Sequence, residues 1–250
     1  MNNDVDVSVA MAVYNSEKYI REQIDSILSQ LSDRDELVIS YNPSSDGTWD
    51  IISEYAARDS RVKVVVCEEV GIQSNFNNAI ENATGRYIFL SDHDDVWLRG
   101  KVDKVKRVFH ETNACVVMHG RVVVDENLKP IRIVDFSRRR MVNRFWYNLI
   151  SNHYCGSCMA FRRELVPVVC PIPPNDVHHD MWIGLLGNMY GSVQVLREPL
   201  ILYRRHGSNA SSDKRRKISV IASERSRLIT HLIARSFRLY RKGMKFRSLS

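Results

Sequence analysis

The sequence predicts an α/β fold: a mostly parallel, Rossmann-like central sheet flanked by helices, with a helical extension at the C-terminal end. Three observations carry that expectation. Strand and helix patterns alternate as β-α-β-α-β-α-β between Val5 and Leu90, the order that sets parallel strands side by side under helices. A short apolar run, Tyr87-Ile88-Phe89-Leu90, leads straight into three carboxylates, Asp92, Asp94 and Asp95, and such sheets bind ligands at their strand ends. Charge divides the chain: residues 213–250 hold 12 Lys and Arg against 2 acidic residues, a net +10, whereas residues 1–212 carry −3.

Each element has its own signal. Val5, Val7, Val9, Met11 and Val13 alternate with smaller or polar residues, a strand pattern. Asn15 or Ser16 can cap the next helix, where Ile20, Ile24, Ile27, Leu28 and Leu31 recur at helical spacing. Leu37-Val38-Ile39 reads as a second strand, and Asn42-Pro43-Ser44-Ser45-Asp46-Gly47 as a turn. Trp49, Ile52, Tyr55 and Ala56 mark a helix, and Val62–Val66 a strand. Ser74 is placed to cap a helix carrying Phe76, Ala79, Ile80 and Ala83, with Gly85 as its stop.

The second half is less regular. Lys101–Phe109 is helical, with Val102, Val105 and Phe109 on one side. Cys115–Met118 and Val122–Val124 are strands, followed by a turn at Asp125-Glu126-Asn127. Arg138-Arg139-Arg140 precedes an aromatic run, Phe145-Trp146-Tyr147, and Pro171, Pro173 and Pro174 form a rigid connector. Met181, Trp182, Leu185 and Met189 share a helix face, and Val193–Leu196 and Leu200–Tyr203 are the last strands. The expected units are a domain at 1–212, divided near residue 100, and a helical tail at 213–250.

At 250 residues, 44% apolar and 26% charged, the chain suits a globular domain with a full core. No run approaches the roughly 18 apolar residues of a spanning helix. Met1-Asn2-Asn3-Asp4 does not open a signal peptide. Five scattered cysteines fit reduced thiols in a cytoplasm. Cys155-Gly-Ser-Cys158 has CxxC spacing but no second pair to complete a zinc site, and reads as packing.

Carboxylates as close as Asp92, Asp94 and Asp95 raise one another's pKa unless something positive sits among them. A hard divalent cation, Mn²⁺ or Mg²⁺, is the natural neutraliser, because it prefers carboxylate oxygen and keeps positions open for substrate phosphate. The alternative is a solvated acidic turn.

Six segments in order resemble the family 2 glycosyltransferases, inverting enzymes of the GT-A fold that use nucleotide-diphosphate sugars. The likeness is to bacterial polysaccharide and rhamnosyltransferase-like members. Ser8-Val9-Ala10-Met11-Ala12-Val13-Tyr14-Asn15 followed by Glu17-Lys18-Tyr19-Ile20 is similar to their opening strand and helix. Ser45-Asp46-Gly47-Thr48 resembles the end of their second-strand motif, and Phe89 to Trp97 their D-x-D segment. Gly156 to Leu165 resembles the acceptor-side segment, and His179-Asp180-Met181-Trp182 the one that supplies the catalytic base. Tyr203-Arg204-Arg205-His206-Gly207-Ser208-Asn209 resembles a late Y-R-x-H-G-x-N motif. One departure stands out: Tyr41 and Asn42 occupy positions where the family commonly has two aspartates. The Asn42 amide can still hydrogen-bond a pyrimidine, without charge.

The resemblance implies roles. Ala12, Tyr14, Asn42, Asp46, Asn75, Asp92 and His93 would line the nucleotide site. Asp94 would bind the metal with Asp92 and His206, while His206 and Arg204 would approach the diphosphate. Asp180 would take the proton of the acceptor hydroxyl; read by itself, it is equally a helix N-terminal residue favoured by the dipole. His206 read alone is a surface histidine. Trp97 and Trp182 read as packing residues, and Trp146 and Tyr147 either stack on an acceptor sugar or pack in the core. No second metal is expected at His178 and His179.

In the tail, Ile218, Ile221, Leu228, Ile229, Leu232, Ile233, Phe237, Tyr240 and Met244 recur at helical spacing among arginines. The tail either lies on an anionic membrane or packs on the domain or on a second copy in a homodimer. The function expected is transfer from a UDP- or dTDP-sugar to a saccharide hydroxyl, on a lipid-linked acceptor of cell-surface polysaccharide (O-antigen or capsule), peripherally at the inner face of the plasma membrane. A nucleotidyltransferase would want a Gly- and basic-rich phosphate loop after the first strand, which Met11-Ala12-Val13-Tyr14-Asn15 is not. A nucleic-acid binder would want a basic domain, and residues 1–212 are acidic.

Overall fold

The computed structural model describes residues 5–136, 144–173, 177–207 and 217–244. Arg138-Arg139-Arg140, Pro174, Ser208, Asn209 and the tail at 213–216 and 245–250 lie outside the described residues. The first half follows the expected alternation: β1 (Val7–Val13), α1 (Ile20–Leu28), β2 (Glu36–Tyr41), α2 (Thr48–Arg58), β3 (Val62–Val66), α3 (Ile72–Asn82) and β4 (Tyr87–Ser91). After it come β5 (Val96–Trp97), α4 (Lys101–Glu111), β6 (Val116–Val124), β7 (Pro130–Val134), α5 (Phe145–Ile150), β8 (Met159–Arg162), α6 (Val166–Val169), α7 (His179–Tyr190), β9 (Val193–Arg204) and α8 (Ile218–Arg241).

The strands form one sheet in the order β3-β2-β1-β4-β8-β6-β9-β5, with β7 paired to β6. β3, β2, β1 and β4 are parallel. Every residue of β1 and β2 is buried, as expected for parallel strands covered on both faces. Beyond β4 the sheet is mixed: β8 is antiparallel to both β4 and β6, whereas β9 runs parallel to β6. The parallel character therefore belongs to the half where helices return the chain between successive strands.

Several local expectations change. Asn15 and Ser16 do not cap α1, which starts at Ile20 after a turn closed on the Ser16 carbonyl; Asn15 takes a left-handed conformation, φ 45°. Ser74 lies inside α3, where its hydroxyl donates to the Glu69 and Gly71 carbonyls. Gly85 is a close-approach residue and not a helix stop: an added Cβ would lie 2.6 Å from the Ser8 nitrogen. The two strand pairs read at 115–124 and 193–203 are single long strands, β6 and β9, joined by a ladder whose register shifts at Gly120. Trp97 and Trp182 are core residues, as read; Trp182 donates its indole N–H to the Val169 carbonyl at 2.8 Å. Trp146 is 67% exposed, so core packing is not its role.

The tail helix α8 docks on the domain. Leu228, Leu232, Arg235 and Leu239 recur at helical spacing and are buried. The Arg235 guanidinium stacks over the Trp182 ring at 5.2 Å and donates to the carbonyls of Val168, Cys170 and Pro171. No described helix is long and apolar enough to cross a membrane.

Candidate active site

The C-terminal ends of β1, β2 and β4 open on the same edge of the sheet, and the loops that leave them are laced together. Asn15 accepts from the Ser45 N–H at 2.9 Å, Ser16 N–H donates to the Thr48 hydroxyl at 2.7 Å, and Glu17 N–H donates to Asp46 at 3.1 Å. Burial alone would raise the Asp46 carboxyl, but the Thr48 hydroxyl and the N–H groups of Glu17 and Thr48 hold it below the usual carboxylate range. Asp46 thus braces the loop after β2 against the one after β1. Tyr14, the residue after β1, stands 48% exposed.

Asn42 and Asn75 are both buried at this edge. The Asn42 amide donates to the carbonyls of Cys67 (2.7 Å) and Glu69 (3.0 Å), so it holds the loop after β3. Asn75 donates to the Val13 carbonyl at 3.0 Å, and its Oδ1 is buried with no hydrogen-bond partner among the described residues. His93 Nδ1 lies 3.2 Å from the Ala12 carbonyl, which can only accept, so that nitrogen carries the proton.

Beyond β4, Asp92, Asp94 and Asp95 bring ligand oxygens within 4.8 Å of one another. Burial first, then the Asp94 charge, pushes the Asp92 and Asp95 carboxyls well above their ordinary values. His206 Nε2 sits 2.9 Å from Asp94 Oδ2, both side chains nearly buried. Adjacent ligands on an octahedral cation at about 2.1 Å lie about 3 Å apart, so this contact matches one edge of such a shell. Asp95 turns one oxygen to the Arg204 N–H at 3.0 Å, and its other oxygen is buried with no partner among the described residues. The donor set fits a hard divalent cation held by Asp92, Asp94 and His206.

Arg204 is buried and braces this loop. Its guanidinium donates to the Asp94 carbonyl (2.8 Å), the Glu126 carbonyl (2.8 Å) and the Glu22 carboxylate, and it stacks over Tyr19 at 4.6 Å. Its fork is committed to protein groups, in place of the approach to a diphosphate expected of it. Gln23 adds a second brace, donating to the Ser91 hydroxyl and the Asp92 carbonyl.

Asp180 lies in the first turn of α7, close enough to Asp92 for its charge to raise that carboxyl. The Asn152 amide spans both Asp180 oxygens at 3.4 Å, and Asn152 is itself held by the Tyr154 N–H at 3.0 Å. His179 stacks on Phe76 at 4.1 Å. Sequence reasoning missed Asn152, Gln23, Glu22 and Lys101. Two had a readable signal. Gln23 shares the buried face of Ile20, Ile24 and Ile27, and Lys101 falls four residues before Val105 and eight before Phe109, on the apolar stripe of α4. The fully buried Lys101 donates to the Ser157 carbonyl at 3.0 Å, stacks over Trp97, and burial lowers its pKa to about 8.

A parallel nucleotide-type half sheet, an acidic cluster beyond its innermost strand and a mixed second half define the GT-A class of transferase domains. The family described as Glycosyl transferase family 2 matches residues 8–169. The chain belongs to that family. TuaG of Bacillus subtilis, named for teichuronic acid biosynthesis, is 33% identical over 83% of this chain and 82% of its own length. An uncharacterised glycosyltransferase of Nostoc sp. is 29% identical over 81% of this chain. The chain spans 66% of the Nostoc relative and 63% of an uncharacterised Mycobacterium tuberculosis relative. Among solved structures, S. aureus TarS 1–349 in complex with UDP-GlcNAc superposes with a TM-score of 0.69 at 18% identity, over 94% of this chain and 73% of that one. The mannosyltransferase PcManGT of Pyrobaculum calidifontis, in complex with GDP-Man and Mn²⁺, gives 0.62 at 18% identity, over 93% and 64%.

Proposed function

We propose that this chain is an inverting, divalent-metal-dependent glycosyltransferase that moves a sugar from a UDP- or dTDP-sugar to a hydroxyl of a saccharide acceptor in cell-surface polysaccharide synthesis. The observation that carries the reading is the 2.9 Å pairing of His206 with Asp94 at an acidic strand end, with Asp180 close by. TarS bound to UDP-GlcNAc, PcManGT bound to GDP-Man and Mn²⁺, and the teichuronic acid relative point the same way. A bound Mn²⁺ or Mg²⁺ would supply charge to offset that gathering on the leaving diphosphate.

The chain's own residues supply the rest. Asp92, Asp94 and His206 would hold the cation, and His206 would bring its imidazole to the diphosphate side of the cluster. The Asn75 Oδ1, buried without a partner among the described residues, is an acceptor for a nucleoside N–H or hydroxyl. Asp180 receives the acceptor proton as the hydroxyl attacks the anomeric carbon, and attack from the side opposite the leaving group inverts that centre. Asn152 fixes the orientation of the Asp180 carboxylate.

A lipid-linked acceptor fits a protein held at an anionic membrane, and the outer face of α8 supports that attachment. Ile233, Phe237 and Tyr240 are 65%, 63% and 68% exposed, and the segment 213–250 carries +10. Each basic residue near an anionic leaflet contributes about 1 kcal/mol. The test of the transferase reading is product release from a panel of sugar nucleotides with acceptor saccharides, with and without EDTA. Metal-dependent release of nucleoside diphosphate supports it; release of pyrophosphate from a nucleoside triphosphate would mark a nucleotidyltransferase instead.

A further inference from the structure

The CxxC segment is left over once the transferase residues are placed. Cys155 and Cys158 are both free and buried. They bracket a 3₁₀ turn, Gly156–Cys158, in which the Cys158 N–H donates to the Cys155 carbonyl at 3.1 Å. A hydrogen bond of that span keeps the two Cα atoms within about 7 Å, and a disulfide needs about 4.4–6.8 Å. The backbone is therefore already folded to the spacing a bridge requires.

The turn touches the candidate active site on two sides. An added Cβ on Gly156 would lie 2.3 Å from His179 Nε2, so the turn abuts the start of α7, next to Asp180. The Ser157 carbonyl accepts from Lys101 Nζ at 3.0 Å, which ties the turn to the segment just beyond the acidic cluster. A cation faces the sulfurs: the negative charge that Cys155 and Cys158 can carry raises the pKa of the mostly buried Arg121. The hydrogen bond from Cys158, together with Arg121, outweighs burial and holds the Cys155 thiol below the usual range. A thiol held low with a second thiol three residues away matches the pairing of a redox-active dithiol, and of the two Cys155 keeps the greater exposure, 9% against 0%.

We propose that Cys155 and Cys158 form a reversible disulfide site that responds to hydroperoxides and disables sugar transfer when oxidised. The Cys155 thiolate attacks the peroxide, the O–O bond breaks, and Cys155 becomes a sulfenic acid as hydroxide leaves. The Cys158 sulfur then displaces the sulfenic oxygen, which departs as water once the Cys158 proton is accounted for. Two electrons pass from the two sulfurs to hydrogen peroxide, giving one hydroxide and one water, and the hydroxide becomes a second water on taking up the proton that Cys155 had released. The bridge removes the thiolate that faces Arg121 and cross-links the turn that packs on α7 and on Lys101. The effect on turnover rests on the transferase reading; the chemistry at sulfur does not.

The experiment treats the full chain with hydrogen peroxide, then maps disulfides by peptide mass spectrometry and assays transfer before and after dithiothreitol. The expected result is a Cys155–Cys158 bridge, loss of transfer, and recovery of both on reduction. In Cys158→Ser, peroxide should leave a sulfenic acid at Cys155 that dimedone traps, with no bridge. A wild-type chain that forms no such bridge, or that pairs Cys67, Cys115 or Cys170 instead, overturns the proposal, as does full transfer by the bridged form. A reduced chain with no transfer on any donor would count against the transferase reading, and the mapped bridge would still decide the dithiol.

Discussion

His206 Nε2 and Asp94 Oδ2 stand 2.9 Å apart although 112 residues separate them in sequence. The fold makes that meeting by running β9 parallel to β6 and pairing it with the short β5 that follows the acidic loop. Arg204, two residues before His206, locks the junction by donating to the Asp94 carbonyl from its side chain and to Asp95 from its backbone. The end of β9 and the residues just after it thus supply both the Arg204 brace and the His206 imidazole that meets the acidic cluster.

The candidate base gives the first prediction. Asp180→Asn keeps shape and removes proton acceptance, which should cost about 10²–10⁴-fold in turnover. Donor affinity should hardly move. Asn152→Ala should lower turnover less, since it removes one partner of the Asp180 carboxylate and leaves the Met181 N–H donating to it at 2.6 Å. Single-turnover kinetics with saturating donor measure both; near-normal rates in Asp180→Asn would exclude it.

Asn42 separates two accounts of the nucleotide side. Its amide feeds two carbonyls, Cys67 and Glu69, so Asn42→Asp would set a carboxylate against two acceptors. The expected loss is about 1–3 kcal/mol of unfolding free energy, with all nucleoside diphosphates weakened alike. Unchanged denaturant stability with a reordered preference among uridine, thymidine and guanosine diphosphates would instead mean that Asn42 reads the base.

Lys101 should leave a mark on stability in alkali. Its pKa falls from 10.5 in the unfolded chain to about 8 in the fold. Between those values the unfolded chain holds more protons, so this residue makes stability rise with pH. Below about pH 8 the shift weighs against the fold by about 3 kcal/mol, at roughly 1.4 kcal/mol per pKa unit. In Lys101→Met that dependence should vanish, so the unfolding free energy of wild type minus that of the variant should rise by about 3 kcal/mol from pH 8 to 10.5. A difference that stays flat across the window would contradict the assignment.

Membrane attachment is best tested on the outer face of α8, because removing the helix would also uncover the apolar surface beneath Leu228, Leu232 and Leu239. Phe237→Glu should reduce co-sedimentation with vesicles containing anionic lipid and leave the melting temperature nearly unchanged. Added salt should weaken wild-type binding by screening. Binding that ignores lipid charge, salt and this substitution would rule the membrane out in favour of a protein partner.

The first half of the fold was legible because its strands are buried runs and its helices carry clear apolar faces, Ile20-Ile24-Ile27 and Phe76-Ala79-Ile80 among them. In the second half α4, α7, β6 and β9 were legible as well, whereas β5, β7 and β8 were not, for reasons that lie in tertiary contacts. β8 and β5 span four and two residues and are strands only because β4, β6 and β9 lie beside them. Exposed β7 carries Ile131 and Ile133 on an edge that no burial pattern marks. At the site, the acidic cluster and His206 could be proposed from residue type and motif. The bracing duties of Asn42, Asp46 and Arg204 could not, because each depends on which carbonyl or amide the fold brings opposite.

The most direct test of the central claim is calorimetric titration of UDP and dTDP into wild type and Asp94→Asn, each with Mn²⁺ and with EDTA. The account predicts that at least one nucleotide binds wild type tightly with Mn²⁺ and at least tenfold more weakly in EDTA, a difference of about 1.4 kcal/mol or more. In Asp94→Asn the two conditions should give the same weak binding. Tight binding that ignores EDTA, or that survives Asp94→Asn with its metal dependence intact, would contradict it.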